Sequence, residues 1–317
     1  MRYKETYKKI MKVFPPLLFK IFRYALLIGV SYVAVYPVLR FLSTSLTFVD
    51  DYMGGNVEWI PNNPTLQNYF ATSRYFHYWE YAGLTVQIAL GSTIIQMIIC
   101  SLVGYGLARY PFKGNMIVFF CVIATIIVPL QTVQIPLYVY YRHFDFMGIG
   151  SLIGLFTGKP VTVNILNTIW TYIVPALFGV GLNSGLFIFL FRQFFKGMPT
   201  DLEDAGRVDG CNSFMVYVRI MVPNVTPVFA TVGLLSTIYY WNDYVLAEMF
   251  MGSSVNAPMM LAISRLDALI FALNEGIAEY TLGKHAILLM ATAPLMLVFL
   301  FCQKFFVECM DRSGIKG

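Results

Sequence analysis

Histidine is nearly missing from this chain: His77, His143 and His285 are the only three in 317 residues, and each stands alone. No Cys/His spacing of a metal site accompanies them. No nucleophile, base and orienting group fall together, which argues against catalysis by this chain. Charge is scarce too, at 12% of residues, about half the usage of soluble domains. The tetrapeptide TGKP at Thr157–Pro160 lacks the glycine spacing of a nucleotide loop, and a proline follows its lysine, so no ATP site is expected. Five cysteines are too few, and too close to apolar runs or the cytoplasmic side, to suggest a disulfide framework.

What fills the chain instead is apolar sequence, 58% of residues at a mean hydropathy of +0.66. Six runs reach the ~20 residues that cross ~30 Å of hydrocarbon as a helix. They fall at about Tyr24–Leu46, Tyr81–Ala108, Met116–Tyr138, Ile169–Phe191, Val225–Val245 and His285–Val307. The runs are continuous rather than alternating, which predicts helices and not barrel strands. The expected fold class is therefore all-α integral membrane, with six transmembrane helices. With both termini cytoplasmic, 16 of the 22 lysines and arginines fall inside and 6 outside, as the positive-inside rule requires. The +5 net charge thus reflects orientation, and its scatter over four cytoplasmic pieces predicts no nucleic-acid partner. Residues 1–23 read as a basic helix on an anionic leaflet, 24–307 as one permeation domain, and 308–317 as a cytoplasmic tail.

Four connections stand out. The first outer one, about Thr47–Glu80, is rich in Asn, Pro and Gly and is expected to form an ordered cap. RYPFKG is short enough to force a tight hairpin. The outer stretch about Tyr141–Asn167 holds GIGSLIGLFTGKP, too short to span. The last, roughly Leu246–Lys284, carries Glu248, Asp267, Glu275 and Glu279 and reads as mainly polar. The segment 196–223 is the odd one, because DLEDAGRVDG packs four carboxylates into nine positions of an oily chain. Thr200 and Glu203 have the spacing of a capping box, and the acids of the first turn favour a helix start. Gly210 supplies a left-handed end, and Asn212 or Ser213 can cap a second helix toward Pro223. Two short helices bent at a glycine are expected, as a solvated connector or as something more.

The residues from Asp204 to Pro223 resemble the EAA loop of permease subunits of ATP-binding-cassette importers. Asp204-Ala205-Gly206, three residues, Gly210, nine residues, Ile220, Met221, Val222-Pro223 match its spacing, with Asp204, Gly206 and Val222 departing in type. ARYPFKG, IVPLQTVQIPLY, FRQFFKGMPTDLEDAGRVDG, YYWNDYVLAEMF and QKFFVECMDRSGIKG extend the resemblance over about residues 30–317. They point to carbohydrate-uptake permeases similar to the smaller membrane subunit of the maltose transporter. The resemblance implies the type I importer architecture, an inner-membrane location, and a coupling role for Thr200, Glu203, Asp204, Ala205, Gly206, Asp209 and Gly210. It further implies a second permease, an ABC ATPase dimer that uses ATP and Mg, and an extracytoplasmic sugar-binding protein, with no cofactor on this chain. Residues 147–163 look like an insertion relative to that family, and Gly206 should loosen its helix by up to ~1 kcal/mol relative to Ala.

Four further residues are candidates for the solute path. Gln131 and Gln134 lie in a run broken by Pro129 and Pro136, and either line the path or bond a neighbouring helix. Asn242 and Asp243 either touch the solute or bond backbone at a helix end. Importers of peptides or polyamines, and a secondary transporter working alone, remain as alternatives; a lone carrier should keep coupling carboxylates inside its spans, where this chain has almost none.

Overall fold

The computed structural model describes residues 2–55, 59–254, 256–273 and 277–313, with side chains over 17–55, 59–254, 256–266 and 279–305. Its elements in chain order are helices α1 (Arg2–Ser45), α2 (Val49–Met53), α3 (Gln67–Tyr75), α4 (Tyr78–Arg109), α5 (Asn115–Ile127), α6 (Leu130–Arg142), α7 (Ile149–Thr157), α8 (Trp170–Leu177) and α9 (Ser184–Gly197). They continue with α10 (Asp201–Val208), α11 (Ser213–Val216), a π turn (Tyr217–Met221), α12 (Val222–Asn224), α13 (Thr226–Trp241), α14 (Val245–Met251), α15 (Met259–Leu273) and α16 (Ile277–Ser313). Among the described residues there is no strand, only the isolated bridges Thr47–Pro64 and Phe144–Val163.

Contacts divide the chain into two compact units, residues 1–76 with 273–290, and 77–272 with 291–317. In the first, the Asn/Pro/Gly-rich connection is folded. Asn68 donates to the carbonyls of Ser45 (2.8 Å) and Thr47 (2.9 Å), while the Asp51 carboxylate accepts from the Asn63 backbone at 3.1 Å. The basic N-terminal stretch and the first apolar run are one continuous helix, α1, rather than two segments.

In the second unit α4 is the central post, packed by α8, α9 and α13. Its Gly104 lets α9 approach so closely that a Cβ there would sit 2.7 Å from that of Phe191. Phe187, Phe191 and Phe195 recur every fourth residue on one face of α9 and are all fully buried. That spacing aligns them along α4.

Length and apolarity qualify α1, α4 and α16 as single membrane-crossing helices over Leu17–Ser45, Tyr78–Arg109 and Glu279–Phe305. Among the described residues two further candidate crossings arise only if α5 with α6, bent by 101°, and α11–α12 with α13, bent by 79°, each count as one. The run Met116–Tyr138, expected to be interrupted at Pro129 and Pro136, breaks at the first of them and continues as helix through the second. Pro129 has no N–H to donate and drives Val128 into extended backbone (φ −67°, ψ 120°), so the helix must break. The run Ile169–Phe191 is likewise two helices, α8 and α9, separated around Gly179 (φ +68°) and Asn183 (φ +56°).

The last outer connection is corrected as well. It is helical and apolar inside, with Leu246, Phe250, Met251, Met259 and Leu261 all buried. Its Glu248 pairs with Arg265 at 3.5 Å, while the side chains of Asp267 and Glu275 lie outside the described residues. At the far end α16 runs on to Ser313, so no break separates a tail at 308.

Candidate functional site

α10 carries the acidic segment, and it begins differently from the expected capping box. Thr200 is itself helical (φ −68°, ψ −27°), and its hydroxyl makes no cap. Only its carbonyl takes part, accepting from the amides of Glu203 (2.9 Å) and Asp204 (3.1 Å). The physical reason is that Glu203 has a stronger partner than the chain start. Its carboxylate lies 3.1 Å from Arg109 Nε, and both side chains are more than nine-tenths buried. The Arg109 guanidinium also donates to the Met198 carbonyl at 2.6 Å, tying the end of α4 to the entry of α10. An ion pair removed from water in this way is strong only while both members remain.

Gly206 is the second buried residue of α10, one turn after Glu203. A Cβ there would run into Ile220 Cδ1 and approach Val216 Cγ2 at 3.3 Å. The expectation that Gly206 merely loosens the helix is therefore revised, since the glycine admits the π-turn segment. The remaining six residues of α10, including Asp201, Asp204 and Ala205, face outward, with Val208 87% exposed. Arg207, half exposed, reaches back to the buried Glu203 (3.7 Å) and to exposed Asp204 (3.4 Å), the latter a surface contact of small worth.

Asp209 closes the helix, and Gly210 (φ +82°) turns the chain in the left-handed region that glycine takes at least cost. Asn212 then caps α11, its Oδ1 accepting from the Met215 amide at 2.8 Å. A helix, a left-handed turn and a capped second helix stand where the spacing placed them.

The four path candidates form two pairs, Gln131 with Gln134 on α6 and Asn242 with Asp243 after α13. Gln131 is exposed on α6, just past the 101° bend; one turn later the Gln134 amide nitrogen is buried with no hydrogen-bond partner. Asn242 is exposed and donates to the Ile238 carbonyl at 3.1 Å, a helix-end bond. Asp243 accepts from the Tyr172 hydroxyl (2.7 Å) and the Leu246 amide (3.1 Å), so it joins α8 to the start of α14. Among the described residues no group of three or more His, Cys, Asp or Glu side chains could hold a metal.

Sequence reasoning missed two sets. Arg109 was legible only as one more inside cation. Gln96, in the middle of α4 and fully buried, donates to the Leu182 carbonyl and Ser184 Oγ, both at 2.7 Å, and accepts from Ser236 at 2.8 Å. It bonds backbone that the α8–α9 break frees from helix. A glutamine midway along an apolar run, one of two with Gln87, was the available signal.

Residues 82–312 match the model of the binding-protein-dependent transport system inner membrane component family. The chain is 27% identical over 310 residues to the arabinooligosaccharides transport system permease protein AraQ of Bacillus subtilis (strain 168), covering 94% of this chain and 98% of that one. It is 24% identical over 257 residues to the probable starch degradation products transport system permease protein AmyC of Thermoanaerobacterium thermosulfurigenes, covering 81% and 83%. The fold is similar to that in a crystal structure of a bacterial ABC transporter involved in import of the acidic polysaccharide alginate. There the TM-score is 0.73 at 21% identity, over 91% of this chain and 96% of the other. With the matched region spanning α4 to α16 and most of the chain, this protein belongs to the family of binding-protein-dependent transport system inner membrane components.

Proposed function

We propose that this chain is the permease subunit of an ATP-driven importer of carbohydrate, of oligosaccharide size, and that α10 is its coupling helix. The observation that carries the reading is the two-faced build of α10. Glu203 and Gly206 anchor it inward on Arg109 and Ile220, and Asp201, Asp204, Ala205 and Val208 are left outward for another protein. A coupling element must be rigidly joined to the spans it moves and open to the motor that drives it. A helix pinned by a buried ion pair and continued through a fixed glycine bend meets both needs. Six crossings with both termini cytoplasmic, the first and last being α1 and α16 and the fourth being the broken pair α8–α9, complete the proposed topology.

ATP and Mg would be used by a separate ATPase dimer, with a second permease and an extracytoplasmic binding protein as further partners. The substrate class follows from the relatives named for arabinooligosaccharide and starch-product transport. Gln131 and Gln134 are kept as path-lining candidates, and Asn242 and Asp243 hold weaker claims because both already have partners within the chain.

The test is gentle extraction of the tagged chain from its own cells, mass spectrometry of its partners, and uptake of labelled oligosaccharides by the reconstituted assembly. Recovery of an ATPase and a second permease, with uptake that needs ATP, is the expected result. A chain that transports alone on an ion gradient would sink the proposal.

A further inference from the structure

The stretch 144–163 plays no part in the proposed coupling, and its base is fixed by Phe144, which is buried against Tyr140. It is nonetheless fully built. Phe144 and Val163 exchange backbone hydrogen bonds at 3.0 and 2.9 Å, and the Val161 amide donates to the Gly150 carbonyl at 3.1 Å. Asp145 braces the turn into α7, its carboxylate accepting from the Gly148 amide at 3.1 Å and from Ser151 Oγ at 2.8 Å. Its carboxylate is thus consumed inside the hairpin. Gly150 and Gly154 form the inner face of α7, where a Cβ at 154 would sit 2.8 Å from Pro160.

The outer face is apolar. Ile149, Leu152 and Ile153 are exposed, and Leu155 and Phe156 are 80% and 90% exposed. No charged residue occurs from Phe146 to Gly158, while exposed Arg142, His143 and Lys159 flank the stretch.

We propose that α7 is a membrane anchor that lies in the plane of the bilayer interface, in the leaflet where α6 ends, with Leu155 and Phe156 among the acyl chains. Three observations select lipid over a protein partner. The helix follows α6 in the chain, a member of the apolar bent pair, on which Ile135 and Val139 are already 72% and 56% exposed. Its outer face is aliphatic with one phenylalanine, and lacks the Trp, Tyr and Arg that dominate protein–protein anchors. Finally, the hairpin satisfies its own backbone through the bonds above, which is the condition for entering a region poor in water. Interfacial helices of this kind sink ~5–10 Å past the headgroups while basic residues stay with the phosphates. Arg142 and Lys159 are placed for that.

The experiment is photocrosslinking of the full chain in its own membrane, with Leu155→p-benzoylphenylalanine and Phe156→p-benzoylphenylalanine made separately. Asn62, exposed in the Asn/Pro-rich connection, carries the same photophore as the reference. After irradiation, adduct masses are read from the purified chain. Phospholipid adducts at 155 and 156, several-fold above position 62, are expected. Adducts to a second permease or to a binding protein would overturn the anchor, as would lipid adduct no greater than at position 62. Both sites are exposed, so the photophore displaces no packed neighbour. None of these outcomes depends on ATP or on the coupling role of α10.

Discussion

Glu203 and Arg109 show how a single buried contact decides the behaviour of a short helix. Removing one member strands the other in a site closed to water, a cost of about 3–5 kcal/mol. Glu203→Ala should therefore lower the apparent Tm of the purified transporter sharply, and Arg109→Met should do the same. The double variant Arg109→Met/Glu203→Leu should recover much of that loss, because it buries no charge. A double variant no better than the two single losses added together would show that the pair does not act as a unit.

Gly206 is a contest between two terms. Alanine gains up to ~1 kcal/mol of helix propensity, but its Cβ meets the end of the Ile220 side chain. That methyl can turn away, so Gly206→Ala should change the apparent Tm little. Gly206→Leu should lower it clearly, and adding Ile220→Ala should restore part of the loss. A harmless Gly206→Leu would mean that α10 does not pack on Ile220.

At the scale of elements, breaks matter more than helices. The turn after α10 rests on Gly210 (φ +82°), where a Cβ would meet nothing within 4 Å. Substitution there costs backbone energy alone, of order 1–2 kcal/mol for an ordinary residue. Gly210→Asn should thus retain most uptake, since asparagine also takes left-handed caps. Gly210→Pro, locked at φ near −65°, should abolish uptake and leave the protein in the membrane. Uptake assays beside membrane-fraction immunoblots separate the two. Wild-type uptake by the proline variant would refute the rigid-lever account.

Gln96 plays the matching part at the α8–α9 break, where it replaces hydrogen bonds that a continuous helix would make for itself. Gln96→Leu leaves the Leu182 carbonyl and the Ser184 and Ser236 hydroxyls short of a partner, at about 1–3 kcal/mol for each group left unsatisfied. A marked fall in apparent Tm is expected, measured on the same purified assembly. Unchanged stability would mean that other groups or water serve the break.

Over the whole molecule, the apolar surface is far larger than this chain can cover. In the membrane-crossing window of α1 no residue is buried, and in that of α16 only 17% are, against 39% for α4. The outward faces of α1 and α16 are left uncovered by this chain, as suits a membrane permease. At this scale the prediction concerns the energy source. In vesicles loaded with ATP, uptake should survive a protonophore and stop with vanadate. The reverse pattern would favour an ion-coupled carrier.

The sequence by itself determined what depends on neighbours along the chain. Long apolar runs predict membrane helices, Gly210 predicts a left-handed turn, and Asn212 predicts a cap, because each rests on chemistry within a few residues. The spacing from Asp204 to Pro223 was legible for the same reason. What only the tertiary structure decided joins residues far apart. Arg109 draws Glu203 away from a local cap, and Ile220 fills the space beside a glycine that propensity alone would disfavour. Gln96 holds backbone 86 positions away. No period or motif announces such pairs, since each residue type is common on its own and gains its role only when folding removes water and leaves it one partner.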